Sequence, residues 1–346
     1  MSVGKTSREK VLELLNGKRN GELLCFSGMG NVTTEGMKQT GIRFAESHTD
    51  ASKMAALAAT THKLFGFECA VIPFDVAIEA EIVGCPINFY TRSHPLEILY
   101  PTVKEKVIRS AGDIKLPSDL SRAGRVPLVT EALNLLSDDL KGAVAIGTYI
   151  MGPFTIAGQT MELSDLLKIS LKKPEEVAEV LAVYTELVIQ LAETYSAAGA
   201  DYITIREMGA CSDVLRPALF KQLVEPQLRR IFDQAPHPLV LHICGKSNGI
   251  MDSMNRVGAG ALSVDQKNDL RETRKTIGPK PILLGNFDPF NILVKGTPSD
   301  VKRAVQECVN GGVDAVWPGC DIWPTVPTEN MNALMQAVKN ARKGRN

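Results

Sequence analysis

The chain has 346 residues, and its 39 lysines and arginines balance its 39 aspartates and glutamates, so the formal net charge is zero. Hydrophobic residues make up 44% and charged residues 23% of the chain, which is typical of a folded globular protein rather than a disordered one. The neutral balance argues against a nucleic-acid-binding protein, because such proteins normally carry a basic excess.

The N-terminal segment, residues 1–21, has the pattern of an amphipathic helix with charges throughout. It lacks the apolar centre and the small-residue cleavage site of a signal peptide. No stretch approaches the roughly 18 uninterrupted apolar residues that would suggest a membrane span. These features predict a cytoplasmic protein without a membrane partner. No linker, low-complexity tract or internal repeat is visible, so we expect one domain over residues 1–346 with an N-terminal helical extension.

Eight short apolar runs, rich in β-branched residues, alternate with helical patterns along the chain. Such runs are typical of strands that are buried on both faces of a parallel sheet. In chain order the predicted strands are Leu23–Gly28, Cys69–Phe74, Ala143–Thr148, Tyr202–Glu207, Pro238–Cys244, Ala261–Asp265, Pro281–Gly285 and Asp314–Cys320.

The helical patterns between these strands have recognisable ends. Pro174–Ala200 begins with a proline and has Gly199 at its end, and Ser299–Gly312 begins at a serine–aspartate N-cap and ends at a glycine pair. Eight strands that alternate with helices predict an α/β fold, the (β/α)₈ TIM barrel. The rival is an open doubly wound sheet, but no G-x-G-x-x-G motif follows the first strand. The irregular pattern between residues 80 and 142 predicts either a hairpin excursion or an extra strand on the rim.

One histidine and two cysteines occupy the ends of predicted strands. His242 and Cys244 are two residues apart at the end of the fifth strand, so their side chains point to the same face. Cys320 follows the eighth strand, and the C-terminal strand ends of a TIM barrel form its active-site mouth. One histidine and two cysteines form an attested catalytic zinc site, which keeps a fourth position open. The alternative is a buried histidine with two buried cysteines, and the spacing leaves both interpretations open.

Further polar residues follow the predicted strands and are expected at the same mouth. Asp265 ends the strand beside that of His242 and is the best candidate for a fourth zinc ligand, with Glu207 as its competitor on the other side. A loop cap or a rim hydrogen bond is the alternative role for each of these polar residues. The remaining candidates are Tyr149, Asp75, Asn286 and Glu79, of which the first three, with Glu207, are predicted cofactor contacts.

Several motifs that would indicate other chemistry are absent. The chain has no phosphate-binding loop, no H-E-x-x-H motif and no C-x₂-C pair. None of the five histidines has the surrounding aspartate and glycine expected of a domain that carries a corrinoid. If a corrinoid takes part, another protein must supply it.

Several segments together resemble the uroporphyrinogen decarboxylase superfamily. The segments are HICG, which contains His242, the later GNFDP and PGCD, and the two longer segments Ile150–Gly158 and Ile72–Cys85. The resemblance extends from about Ser7 to Val338. Within the superfamily the chain is most similar to the methylcobamide:coenzyme M methyltransferases of the methanol and methylamine pathways.

This resemblance implies a TIM barrel in which His242, Cys244 and Cys320 hold one zinc ion. In such enzymes the zinc takes the thiol of coenzyme M, and the thiolate attacks the methyl group of a methylated corrinoid on a small partner protein. The resemblance therefore implies zinc, a corrinoid protein and a thiol substrate such as coenzyme M. Asp265 stands where a glutamate is usual near the fourth zinc position, and the shorter side chain leaves direct ligation open.

The sequence leaves three alternatives. In the first the protein is a decarboxylase, but that branch uses an arginine-rich N-terminal segment to hold its substrate, and residues 25–41 of this chain contain no arginine. In the second it is a non-catalytic partner of a corrinoid protein and its metal site is vestigial. In the third alternative it keeps the zinc but uses a different methyl donor or acceptor.

Overall fold

A computed structural model describes residues 4–92, 94 and 97–343. Eight parallel strands form its centre, and every residue of these strands is buried, which explains why their sequences are apolar without alternation. The strands are β1 (Leu24–Cys25), β2 (Cys69–Val71), β3 (Ala145–Met151), β4 (Tyr202–Arg206), β5 (Leu239–Ile243), β6 (Ala261–Val264), β7 (Ile282–Phe287) and β8 (Ala315–Pro318).

The strands are paired in the order β1, β8, β7, β6, β5, β4, β3, β2. The two ends of this order meet beside Glu68, whose N–H donates to the carbonyl of Cys25 at 3.2 Å. In return, the N–H of Cys25 donates to the carboxylate of Glu68 at 2.8 Å. These contacts join β1 to the start of β2, and the predicted α/β fold of the TIM-barrel type is confirmed.

Fifteen α-helical segments in the described residues surround or extend the barrel. They are α1 (Ser7–Leu15), α2 (Thr34–Thr40), α3 (Phe44–Ser47), α4 (Ala51–Phe65), α5 (Ile78–Ile82), α6 (Val126–Leu140), α7 (Pro153–Thr160), α8 (Leu163–Lys172), α9 (Pro174–Ala197), α10 (Pro217–Leu219), α11 (Glu225–Gln234), α12 (Met251–Arg256), α13 (Leu270–Ile277), α14 (Pro298–Asn310) and α15 (Thr328–Lys343). Two π-helical turns, Phe220–Val224 and Pro289–Val294, adjoin them.

The structure corrects one sequence prediction about these elements and decides between two others. The N-cap of α14 is Thr297 and not Ser299, because Thr297 and Asp300 form a capping box in which each side chain accepts the other's backbone N–H. The irregular region contains a short antiparallel hairpin of Ile87–Asn88 with Thr102–Val103, which is the first of the two predicted alternatives. A single domain over residues 1–346 stays a prediction, as does the cytoplasmic location.

Within the described part of the chain, we find no helix that combines the length and the apolar character needed to cross a membrane.

Candidate active site

The imidazole of His242 and two cysteine thiols meet at the C-terminal end of the barrel, and we call His242, Cys244 and Cys320 the thiol cluster. His242 lies in β5, Cys244 directly follows that strand, and Cys320 lies in the loop after β8. His242 Nε2 is 2.9 Å from Cys244 Sγ, and the two Sγ atoms are 3.8 Å apart. His242 is buried while Cys244 and Cys320 are half-buried, so the cluster faces the barrel mouth on the side of the two cysteines.

The neighbouring strand fixes the orientation of the histidine ring. His242 Nδ1 lies 2.9 Å from the hydroxyl oxygen of Ser263, which belongs to β6. This contact leaves Nε2 directed at Cys244. A partner on one ring nitrogen that orients the other is the usual arrangement of histidines that bind metals.

The two thiols differ in how readily they lose a proton. The contact with Cys320 lowers the pKa of Cys244 well below its usual value, and the charges of His242 and Arg206 add to this effect against the cost of burial. The same contact, together with burial, raises the pKa of Cys320. Cys244 therefore becomes the first thiolate of the pair, and Cys320 keeps its proton to share with it.

An ion pair between a buried arginine and a half-buried aspartate lies beside the thiol cluster. Arg206, the last residue of β4, donates from Nη1 and Nη2 to the two carboxylate oxygens of Asp321 at 3.0 and 2.6 Å. Asp321 directly follows Cys320, and Cys320 Sγ is 3.6 Å from Asp321 Oδ2. Burial alone would raise the pKa of Asp321, but the charge and hydrogen bonds of Arg206 lower it. The carboxylate is therefore ionised next to the cysteine.

The donor set of the thiol cluster suits zinc in its chemistry. Two thiolates and an imidazole are ligands that zinc prefers, and two sulfurs on a tetrahedral zinc lie about 3.8 Å apart, as the two Sγ atoms do. Among the described residues, no group of three or more His, Cys, Asp or Glu side chains is yet arranged to hold a metal ion. A nitrogen and a sulfur on one zinc lie about 3.5 Å apart, so the 2.9 Å contact between His242 and Cys244 would have to open.

Asp265, the predicted fourth ligand, is buried directly after β6. Its Oδ1 accepts the N–H of Lys267 at 2.8 Å, which closes a turn at the end of the strand. Asn286 lies inside β7 and not after it, and its amide donates to the carbonyls of Asp265 and Asn268 at 3.0 and 2.8 Å. Asn286 therefore holds the loop that carries Asp265.

Glu207, the competitor for the fourth position, caps a helix. Its buried carboxylate accepts the N–H groups of Phe154 and Thr155 at 3.0 and 2.7 Å, at the start of α7. Burial raises the pKa of Glu207 to about 7, although these hydrogen bonds act in the opposite direction. None of the described hydrogen bonds of this side chain reaches the thiol cluster.

Tyr149 and Asp75 belong to a chain of buried contacts that leads to Arg206. Tyr149 lies inside β3 and not after it, with its ring centre 4.8 Å from the guanidinium of Arg206. The hydroxyl of Tyr149 donates to the carbonyl of Asp75 at 3.1 Å. The carboxylate of Asp75 accepts from Arg125 at 2.7 and 3.0 Å and lies 3.2 Å from His48 Nδ1. Burial would raise the pKa of Asp75, but His48 and Arg125 hold it well below its usual value.

Sequence reasoning missed the charged partners of these groups. Arg206 sits inside an apolar strand run, which is itself a signal, because a buried charge needs a partner. Its partner Asp321 is 115 positions away along the chain, so the pairing is visible only in three dimensions. The same holds for Arg125, which is 50 positions from Asp75.

Comparison with known proteins places the chain in a family. The sequence model for uroporphyrinogen decarboxylase (URO-D) matches residues 6–341. A methylcobamide:CoM methyltransferase of Methanosarcina barkeri is 31% identical over 333 residues, which cover 96% of this chain and 97% of that protein. One of Methanosarcina acetivorans is 30% identical, and the match covers 92% of each chain.

Among solved structures, a methyltransferase from Methanosarcina mazei superposes with a TM-score of 0.92 at 30% sequence identity. The superposition covers 98% of this chain and 99% of that one. The resemblance inferred from the sequence motifs is therefore confirmed, both for the superfamily and for its methyltransferase branch. With matches over nearly its whole length, this chain belongs to the uroporphyrinogen decarboxylase family.

Proposed function

We propose that this protein moves a methyl group between a corrinoid carried by a small partner protein and a thiol, with coenzyme M as the acceptor and zinc as the resident metal. The observation that carries the proposal is the convergence of His242, Cys244 and Cys320 at the barrel mouth. The predicted enzyme class, a corrinoid-dependent methyltransferase, is confirmed by the relatives of that name that match nearly the whole chain.

The residues of the thiol cluster prepare a metal-binding position. When bound, zinc would act as a Lewis acid that lowers the pKa of a substrate thiol and favours its thiolate form. Metal binding requires deprotonated cysteines, and Cys244 loses its proton readily because of its contact with Cys320. Ser263 holds the ring of His242 so that Nε2 faces the sulfur atoms.

The surroundings of the cluster favour attack by a sulfur nucleophile. His242 and Arg206 are 0% and 1% exposed, so water has little access to this side of the cluster. A thiolate that water does not solvate is a stronger nucleophile. Cys244 and Cys320 are half-buried, and the methyl donor would approach them from the barrel mouth.

The other predicted site residues have supporting contacts. Asp265 is proposed for the fourth position, and Asn286 fixes its loop. Cofactor contacts of Tyr149, Asp75, Asn286 and Glu207 stay predictions.

The charge arrangement favours methyl transfer over decarboxylation of a tetrapyrrole. A substrate with many carboxylates needs several cations that converge on it. The two buried arginines near the mouth are already matched, Arg206 by Asp321 and Arg125 by Asp75. Residues 25–41 contribute no arginine.

The test combines metal analysis with a spectroscopic assay. Purified protein should contain about one equivalent of zinc, because three protein ligands hold the metal. It should demethylate methylcobalamin when coenzyme M is added, as followed in the cobalamin absorption spectrum, and a panel of other thiols defines the acceptor. Cys320→Ala should lose both properties. Cys85→Ala, which removes a buried cysteine outside the cluster, should keep them.

The proposal fails if zinc stays well below half an equivalent, or if no thiol demethylates methylcobalamin. Release of carbon dioxide from uroporphyrinogen by the same preparation would point to the decarboxylase branch instead.

A further inference from the structure

The three members of the thiol cluster differ in how the backbone holds them. His242 lies within β5, and Cys244 directly follows it. Cys320 is two residues beyond the end of β8, in a loop that reaches the next helix only at Thr328. The backbone of a loop allows more positions than that of a strand, so Cys320 needs other contacts to stay 3.8 Å from Cys244.

Directly before Cys320, the N–H of Gly319 donates to the carbonyl of Phe287 at 2.9 Å. On the other side of Cys320 the contacts come through the next residue, Asp321. Its two carboxylate oxygens accept from Nη1 and Nη2 of Arg206, which gives a two-point contact. Its Oδ1 also accepts the N–H of Gly30 at 2.8 Å. The N–H of Ile322 donates back to the carbonyl of Gly30 at 2.9 Å. The loop after β8 is therefore tied to β4 on one side and to the segment after β1 on the other.

The approach to residue 30 is close. A Cβ atom on Gly30 would lie 3.1 Å from Asp321 Oδ1, which is tighter than most contacts of real Cβ atoms. A glycine at this position lets the carboxylate reach the backbone N–H without a side chain in the way.

Arg206 is itself held firmly. It is 1% exposed, and its guanidinium stacks on the ring of Tyr149, whose hydroxyl is bound to the backbone of Asp75. If the guanidinium of Arg206 lost its carboxylate partner, an unpaired charge would remain buried, which costs folding free energy. The position of Arg206 therefore fixes the position of Asp321.

We propose that Asp321 is a positioning residue, which through Arg206 and Gly30 holds Cys320 in place so that the thiol cluster is formed before the metal binds. The inference rests on the proposed function as far as the metal is zinc. The placement of Cys320 does not depend on it.

The first experiment measures zinc release to a chromogenic chelator from the full-length protein and from Asp321→Asn. Loss of a group that orients a metal ligand typically weakens metal affinity about ten- to a hundredfold, and we expect faster release in this range. The matched control is Asp314→Asn. Asp314 also accepts from arginines, Arg19 and Arg274, and from a backbone N–H, but it lies at the other end of β8. Asp314→Asn should release zinc at the unchanged rate.

The second experiment needs no metal. In zinc-free protein, diamide oxidises two neighbouring thiols to a disulfide and takes up the two electrons and two protons that they release. The Cys244–Cys320 disulfide, identified by peptide mass spectrometry, should form about threefold or more slowly in Asp321→Asn, because misplaced groups react more slowly. Asp314→Asn should react like the unchanged protein.

The outcomes separate the two proposals. If the unchanged protein binds no zinc but the disulfide still forms more slowly only in Asp321→Asn, the proposed function fails and the role of Asp321 stands. If Asp321→Asn matches the unchanged protein in both experiments, the role of Asp321 is wrong. If Asp321→Asn does not fold, Arg206→Met combined with Asp321→Asn replaces the ion pair by neutral groups, and the same two results are expected of it.

Discussion

Two sets of polar residues lie beside the strand ends of the same barrel mouth, and they are used differently. The thiol cluster consists of side chains that face one another, with His242 buried and the two cysteines half-buried. The second set, which we call the buried acids, consists of Asp75, Glu79 and Glu207. Each of the buried acids is bound to a backbone N–H or an arginine.

The difference shows that a position near a strand end does not by itself make a residue part of the chemistry. Glu79 accepts the N–H of Met151 at 2.9 Å, and Glu207 accepts two N–H groups at the start of α7. These contacts join neighbouring βα units, and they use carboxylate oxygens of both residues as structural acceptors. We therefore expect substitutions in the thiol cluster to lower zinc content and activity, and substitutions among the buried acids to lower stability.

Cys244→Ala should have the largest effect on activity. Cys244 contacts both other members of the thiol cluster. Its loss leaves one thiol and one imidazole, which are only two of the three proposed zinc ligands. We expect zinc content to fall below half an equivalent and thiol-dependent demethylation to fall more than about a hundredfold, beyond the effect of losing an orienting group. Elemental analysis and the cobalamin spectrum measure the two. Full zinc content in the variant would remove Cys244 from the metal site.

Asp75→Ala should show the reverse signature. The change leaves the buried guanidinium of Arg125 with Glu81 as its remaining carboxylate partner. Breaking a buried ion pair typically costs about 3–5 kcal/mol of unfolding free energy, and the remaining partner places the expected loss at the lower end of that range. Urea unfolding measures the loss, while the zinc content of the folded fraction should stay unchanged. Asp139→Ala, which breaks an exposed pair with Lys63, is the control and should cost little. Loss of zinc in folded Asp75→Ala would break the division between the two sets.

Glu79→Gln should change how stability depends on pH. Burial is the main cause that raises the pKa of Glu79 to about 7; the charge of Asp75 acts in the same direction, and the hydrogen bond from Met151 and the charge of Arg125 act against it. Between its unfolded pKa near 4.5 and about 7, the folded state binds more protons than the unfolded state, so unfolding free energy falls as pH rises. The variant should lose the part of that pH dependence that comes from about one bound proton, as measured by urea unfolding across this pH range. An unchanged slope would show that Glu79 is ionised throughout.

The sequence predicted the fold well because strands buried on both faces leave a strong apolar signal. It also placed the thiol cluster, because period-two geometry and the strand ends of a barrel fix where His242 and Cys244 point. It misplaced Tyr149 and Asn286, which lie within β3 and β7, because both residues look like the polar ends of apolar runs. The pair of Arg206 and Asp321 was out of reach, since nothing local records a partner 115 positions away.

Asp265→Asn should have the smallest effect and is the sharpest test of where the two sets divide. Asp265 is a carboxylate next to the strand of His242, yet its described hydrogen bond is a turn contact with the N–H of Lys267, which the oxygen of an asparagine amide can replace. The thiol cluster stays intact, so zinc content should remain near one equivalent and demethylation should fall by at most about tenfold. Asn286→Ala removes the hydrogen bond that holds the loop of Asp265 but leaves the charge of Asp265 unchanged. If only the position of Asp265 matters, this variant should show the same modest loss of activity. Loss of zinc in Asp265→Asn would instead show that the proposed fourth position is as necessary for holding the metal as His242, Cys244 and Cys320.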